Sequence, residues 1–248
     1  MDYTMDMGGG NFHAKVFYGT SQMTTTGPTG VSAVDLIPIF GGSLLWEGQK
    51  WRFRLGCAEA KVDSQMGEVD LLTDWLQYAE SNGWPEAGTL AEEMDSVDDN
   101  FYYYSVGAAY DGNPWKIQSE VSLTDSDFDS FQQLISAYLS VAYCIGPVQV
   151  YGVGGLAKNT EDRVRISSAP EQWALLEQGA QQYRDRIRID QKSTSLGLRW
   201  DIHSNIALKL QWDHHWVDAY GGLLWYQEAT LVEDNELDTY SLNLNFIF

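Results

Sequence analysis

The chain has 248 residues, 44% of them hydrophobic, and its 35 acidic and 15 basic side chains give a formal net charge of −20 at pH 7. That excess of acid excludes a nucleic-acid binder, which needs basic surface to displace counterions from phosphate. No run approaches the roughly 18 apolar residues of a membrane helix, so a helical membrane protein is excluded, whereas a transmembrane barrel, whose strands alternate, is not.

In chain order the elements repeat one design: an alternating strand, a very short turn, a second alternating strand, then a longer polar segment. No basic stretch followed by an apolar run opens at Met1, so no signal peptide is visible; a leader has been removed, never existed or lies upstream of a chain that starts late. The first strand, Tyr3–Met7, leads into MGGGN near Gly9, and a longer segment follows over about Thr20–Ala33. WEGQK near Gly48 is the second turn, after which Trp51, Phe53 and Leu55 alternate with Arg52, Arg54 and Gly56.

The next connection, about Asp63–Asp99, contains eleven acids and no Lys or Arg. Within it, VDLLTDWLQYAE has helical spacing in Leu71, Leu72, Trp75, Leu76 and Tyr78. Three placements stay open for it: a constriction folded into a lumen, a cover on the outside that binds divalent cations, or a solvated surface loop.

Tyr102, Tyr104, Val106, Ala108 and Tyr110 then alternate with Tyr103, Ser105, Gly107 and Ala109 up to YDGNPW near Gly112. Beyond that turn, Trp115, Ile117, Val121 and Leu123 alternate with Lys116, Gln118, Glu120 and Ser122. A connection over Thr124–Ser130, a turn CIGPV near Gly146 and a long segment Lys158–Arg188 follow, the last with a helix-prone EQWALLEQGAQQYRDRI that caps a loop.

Around the fifth turn, DIHSN near Ser204, Leu196, Leu198, Trp200 and Ile202 alternate with Ser195, Gly197, Arg199 and Asp201. Ile206, Leu208, Leu210 and Trp212 then alternate with Ala207, Lys209, Gln211 and Asp213. After a polar stretch over Asp218–Glu236, the chain closes on YSLNLNFIF, in which Tyr240, Leu242, Leu244, Phe246 and Phe248 share one face.

Short turns alternating with long loops are the asymmetry of an outer-membrane barrel. The strands are long enough to cross a tilted hydrocarbon layer, and aromatics gather at their ends, as interfacial girdles require. The expected fold is therefore all-β: a transmembrane antiparallel up-and-down β-barrel, one domain over residues 1–248, with about eleven strands visible.

Other chemistry finds little support. Cys57 and Cys144 have no CxxC or Cys/His context and read as small hydrophobic strand residues. His214 and His215 are neighbours on a strand, point to opposite faces and cannot converge on one ion. They read as an interfacial pair beside Trp212 and Trp216. No nucleotide-binding glycine motif and no Ser/His/carboxylate set is present. We expect no enzyme, no metal and no cofactor.

The polar face carries the informative charges. Lys15, Arg52, Arg54, Lys116, Arg199 and Lys209 share it with Asp6, Glu120, Asp201 and Asp213. Opposed basic and acidic rows tune ion preference in a pore, or the same groups merely solvate a lumen and pair with each other. The acidic excess favours cations at the mouth and the basic lumen favours anions, so the sign stays open.

The terminal YSLNLNFIF resembles the last strand of Gram-negative outer-membrane porins, and the stretches VGAAYDGNPWKIQSEVSLTDSD and LGLRWDIHSNIALKLQWDHHWVD resemble strand–turn–strand units of general and phosphate-selective-like porins. The resemblance covers most of residues 100–248. It implies a water-filled channel for small hydrophilic solutes in the cell outer membrane, among lipid and lipopolysaccharide. It also implies a homotrimer, and a terminal strand (Tyr240, Leu242, Leu244, Phe246, Phe248) read by the barrel assembly machinery.

Eleven strands is an odd number for a bacterial barrel. The expectation is the C-terminal portion of a 16-stranded porin lacking about five N-terminal strands; a complete 10- or 12-stranded barrel with one hairpin miscounted is the rival. Two other readings of function remain: an autotransporter-like anchor or translocator barrel, and a soluble β-barrel ligand-binding protein.

Overall fold

The computed structural model describes residues 2–27, 30–64, 67–225 and 231–246. Eleven strands follow one another as β1 (Asp2–Met7), β2 (Gly10–Gly27), β3 (Gly30–Glu47), β4 (Trp51–Ser64), β5 (Asn100–Gly112), β6 (Trp115–Ser126), β7 (Leu134–Ile145), β8 (Val148–Asn159), β9 (Ile189–His203), β10 (Ile206–Gly222) and β11 (Asn235–Phe246). Each pairs antiparallel with its sequence neighbour, so the sheet order is the chain order. This is the expected up-and-down arrangement, and the sheet does not close on itself among the described residues.

The short turns match their chemistry. Met7 pairs with Gly10 across Gly8 and Gly9, whose φ values are +64° and +77°. Two positive-φ residues make the turn whose twist suits a hairpin, and glycine adopts it without a Cβ clash.

One connection differs from its sequence reading. The segment Thr20–Ala33, expected as a long polar loop, continues β2 and β3 in register from Ser21↔Leu36 to Gly27↔Gly30. β4 accompanies β3 only as far as Asp35↔Ser64, so the rest of this hairpin projects as a two-stranded ribbon. A run of β-branched Thr24, Thr25 and Thr26 favours extended backbone despite its polarity. Pro38, which has no N–H for a ladder, lies in the register shift between Leu36 and Ile39.

The long acidic connection folds into two helices, α1 (Gly67–Ser81) and α2 (Glu86–Met94), and the β8–β9 connection holds α3 (Ala174–Arg186). α1 and α3 fall where helical spacing places them; α2 is additional. No described helix is long and apolar enough to cross a membrane.

These helices own the best-packed core of the molecule. Leu76, Ala79, Trp84, Ala87, Leu90, Ala91 and Met94 bury together with Ala180 of α3, flanked by Leu72, Trp173, Leu176 and Tyr183. Four strands, β5 to β8, separate the two departures from the sheet, yet both loops share one core. The helical body therefore spans the long-loop end of the sheet instead of crowning a single hairpin.

Polar contacts fasten this cap. Arg163 donates from Nε and Nη2 to the two carboxylate oxygens of Asp185 at 2.6 and 2.7 Å and lies 3.9 Å over the ring of Tyr220 on β10. Arg184 pairs with Glu93 of α2, and Ser130 of the β6–β7 loop donates to the Glu93 carbonyl. Trp84 Nε1 donates to Ser168 Oγ at 3.1 Å. Burial, with Asp95 nearby, pushes the Tyr183 hydroxyl up to about 12.

Candidate pore-lining surface

The strand registers settle which side chains share a face. Across the sheet, Leu45, Arg54, Gly107 and Glu120 are successive partners, and so are Glu47, Arg52, Ala109 and Gln118. Since side chains alternate along each strand, these registers put Lys15, Arg52, Arg54, Lys116, Glu120, Arg199, Asp201, Lys209 and Asp213 on one face. Asp6 joins them through Asn11 and Glu47.

Three of the nine converge. Arg52, Arg54 and Glu120 line a hollow of about 230 Å³ with Glu47 and Gln118. The intervening strand contributes only the small residues Gly107, Ala108 and Ala109, which keep it open. A Cβ on Gly107 would stand 3.2 Å from Glu120 Oε2, so this carboxylate lies down over the glycine. Arg52 also borders a second hollow of about 210 Å³ with Asp111, Lys116 and Gln149.

The charges differ in how they are matched. Lys116 pairs with Asp111 at 3.2 Å, and Arg199 with Asp201 at 2.9 Å. Lys209 stands 5.3 Å over the Tyr151 ring, while Asp213 accepts from Gln211 Nε2 at 2.6 Å and Thr239 Oγ1 at 3.4 Å. Among the described residues, Arg52 and Arg54 have no ion-pair or hydrogen-bond partner. Two exposed guanidinium groups without an ion pair therefore project side by side into a hollow that Glu47 and Glu120 also line.

Sequence reading passed over several members of this face. Glu47 belongs to it by the same two-residue period that placed Arg52. Tyr138 and Tyr151 belong as well, accepting from Gln118 at 2.6 Å and donating to Gln211 at 2.7 Å.

That opposite face is apolar and open. Leu55, Val106, Val121, Leu139, Leu196, Leu242 and Leu244 are each about half exposed or more. Rings gather at its short-turn rim, with Trp51 stacked on Phe53 at 5.8 Å, tilted against Tyr110 at 4.9 Å, and Trp115 against Tyr143 at 4.8 Å. Tyr240, Leu242, Leu244 and Phe246 of the terminal strand lie here; Phe248 is outside the described residues. The hollows open on the polar side, the reverse of a soluble barrel with a greasy interior.

The two histidines separate as expected. His214 sits on the apolar side between Trp212 and Trp216 with Asp238 Oδ1 at 2.9 Å from Nδ1, while His215 turns to the other side against Trp225. Among the described residues no group of three His, Cys, Asp or Glu is arranged to hold a metal.

At the loop end, burial pushes the Asp99 carboxyl up, aided by Asp127, Asp95, Asp129 and Asp98. Asp127 is held below the usual carboxylate range by donations from Asn100 and Tyr102, each at 3.0 Å.

No protein-family model matches the chain, and no curated protein resembles it in sequence. Solved structures do resemble it in shape. The anion-selective porin from Comamonas acidovorans superposes over 100% of this chain with a TM-score of 0.57 at 12% identity. The chain spans 58% of that porin's length. The NanC porin (TM-score 0.42, 11% identity, 100% of this chain and 97% of that one) and OmpT, an outer membrane protein of Vibrio cholerae in trimer form (TM-score 0.42, 8% identity, 97% and 76%), are more distant. The first likeness identifies the architecture: an antiparallel up-and-down sheet of the porin-barrel type.

Proposed function

We propose that this chain forms the wall of an outer-membrane porin in a Gram-negative bacterium, a water-filled channel through which small hydrophilic solutes or ions diffuse without turnover chemistry. The observation that carries the reading is the division of one sheet into an apolar, ring-edged face fit for hydrocarbon and a charged face lined with hollows. A soluble binding barrel has no use for the first, and an anchor has no use for charges left unmatched on the second.

Arg52 and Arg54 carry the proposed selectivity. Unneutralised guanidinium groups lower the barrier to anions in a narrow lumen, and they outweigh Lys116 and Arg199, whose charges are partly cancelled by Asp111 and Asp201. The name of the Comamonas acidovorans porin agrees in sign. Since β1 and β11 are each paired on one side only among the described residues, we infer that the conducting barrel includes strand beyond this sheet. A homotrimer, contacts with lipopolysaccharide and recognition of the terminal strand by the assembly machinery belong to the same reading; Phe248→Ser is expected to lower the fraction of chains assembled in the outer membrane.

The decisive experiment is single-channel recording, in a planar bilayer under a salt gradient, from the protein extracted from native membrane, where the barrel has its further strand. Uniform conductance steps with an anion-side reversal potential are expected. Their absence overturns the channel.

A further inference from the structure

The outer surface of the helical cap carries a feature the pore does not use. Along α1, Val69, Thr73, Leu76 and Ala79 turn inward to the cap core. A second apolar stripe, Leu71, Trp75 and Tyr78, recurs at i, i+4 and i+7 and faces away from that core, 62%, 51% and 55% exposed. Trp75 packs edge-on to Tyr78 at 5.8 Å, and Tyr78 to Trp173 at 6.1 Å, so the stripe continues onto the β8–β9 loop as a ridge of perpendicular rings.

A helix needs one apolar face to join a core, and α1 has that in its inner stripe; a second exposed one marks a contact surface. The charge beside it says what kind. Asp70 and Asp74 flank the ridge one residue before Leu71 and Trp75. α1 and α2 together hold Glu68, Asp70, Asp74, Glu80, Glu86, Glu92 and Glu93 and no basic side chain. Arg184 pairs with Glu93.

We propose that this ridge is a docking surface for a cationic amphipathic helix of a protein or peptide, its apolar side chains laid along Leu71, Trp75 and Tyr78 and its Lys or Arg side chains set against Asp70 and Asp74. Aromatic faces favour the same partner, since a cation over an exposed ring is attracted by its quadrupole. The packed core behind α1 and the clamps on Arg163 and Arg184 hold the ridge rigid, which lowers the ordering cost of binding. The surface is independent of conduction.

The test is hydrogen–deuterium exchange on the full chain refolded in neutral detergent, with and without a 14-residue leucine–lysine amphipathic helix, read against the leucine–glutamate analogue. Protection confined to α1, given by the lysine peptide alone and weakening as salt rises, is expected. Trp75→Ala with Tyr78→Ala should weaken binding by about tenfold, and Asp70→Asn with Asp74→Asn by about fivefold, with fluorescence melting of the cap unchanged. Equal protection by both peptides, none by either, or an α1 already protected in the peptide-free protein by the rest of its own chain would each overturn the proposal. Channel recordings on the same variants keep its failure distinct from failure of the pore.

Discussion

Arg52 and Arg54 are the two residues on which the proposed ion preference turns. Their side chains leave the same strand two positions apart over Ala109 and Gly107, and no carboxylate reaches within ion-pair distance of either among the described residues. A unit charge about 4 Å from a passing ion contributes about 1 kcal/mol at the dielectric of bulk water, the medium of a water-filled lumen. Replacing both with Gln is expected to shift the anion-to-cation permeability ratio toward cations by on the order of fivefold, read as a change in zero-current potential. Replacing Arg199, already paired with Asp201, should shift it less. Tyr183 is informative for stability. Its hydroxyl titrates at about 12 in the folded cap against the ordinary 10.0 because burial disfavours the phenolate. The unfolded chain therefore loses its proton first. The contribution is intact below about pH 10 and is lost as pH rises toward 12, by at most roughly 2–3 kcal/mol. Alkaline melting of the cap followed by Trp fluorescence should show that loss, and Tyr183→Phe should flatten it.

Among the elements, β11 and the cap obey different physics. β11 alternates between Ser241, Asn243 and Asn245 on the polar face and Tyr240, Leu242 and Leu244 on the other, which is solvent-exposed in the isolated chain. Hydrocarbon is the solvent such a face suits. Leu242→Arg is expected to destabilise the assembled barrel by about 2–4 kcal/mol, while Ser241→Arg, one residue away, costs less than about 0.5 kcal/mol; urea titrations in lipid vesicles distinguish the two. The cap behaves as a small globular protein instead. Asp185 is 4% exposed and takes both donors of Arg163. Arg163→Ala leaves that carboxylate uncompensated, at an expected cost of about 3 kcal/mol to the cap, whereas Arg163→Met with Asp185→Leu recovers most of it. Exchange rates across α3 provide the measurement.

At the scale of the whole molecule, strand polarity came directly from sequence. A two-residue period leaves each side chain one choice of face, so the nine proposed lumen charges could be assigned together without knowing any partner. Strand number and the short turns were legible for a related reason: Gly8–Gly9 and its counterparts are local chemistry. What was not legible depends on contacts distant in sequence. Thr20–Ala33 reads as a polar loop on composition, and only its pairing partner makes it strand. α2 repeats Ala87, Leu90, Ala91 and Met94 at helical spacing over only nine residues, and it is fixed where Trp84, Leu90 and Met94 meet α1 and α3. The matching of charges is of the same kind, because whether an arginine is neutralised depends on which residues the register sets beside it. Sequence by itself thus determined an antiparallel porin-type sheet and its two faces, since alternation is written residue by residue along the chain. The tertiary structure alone decided that two loops four strands apart share one core, and that Arg52 and Arg54 stand unmatched over Gly107 and Ala109, since both follow from where separate strands bring their side chains together.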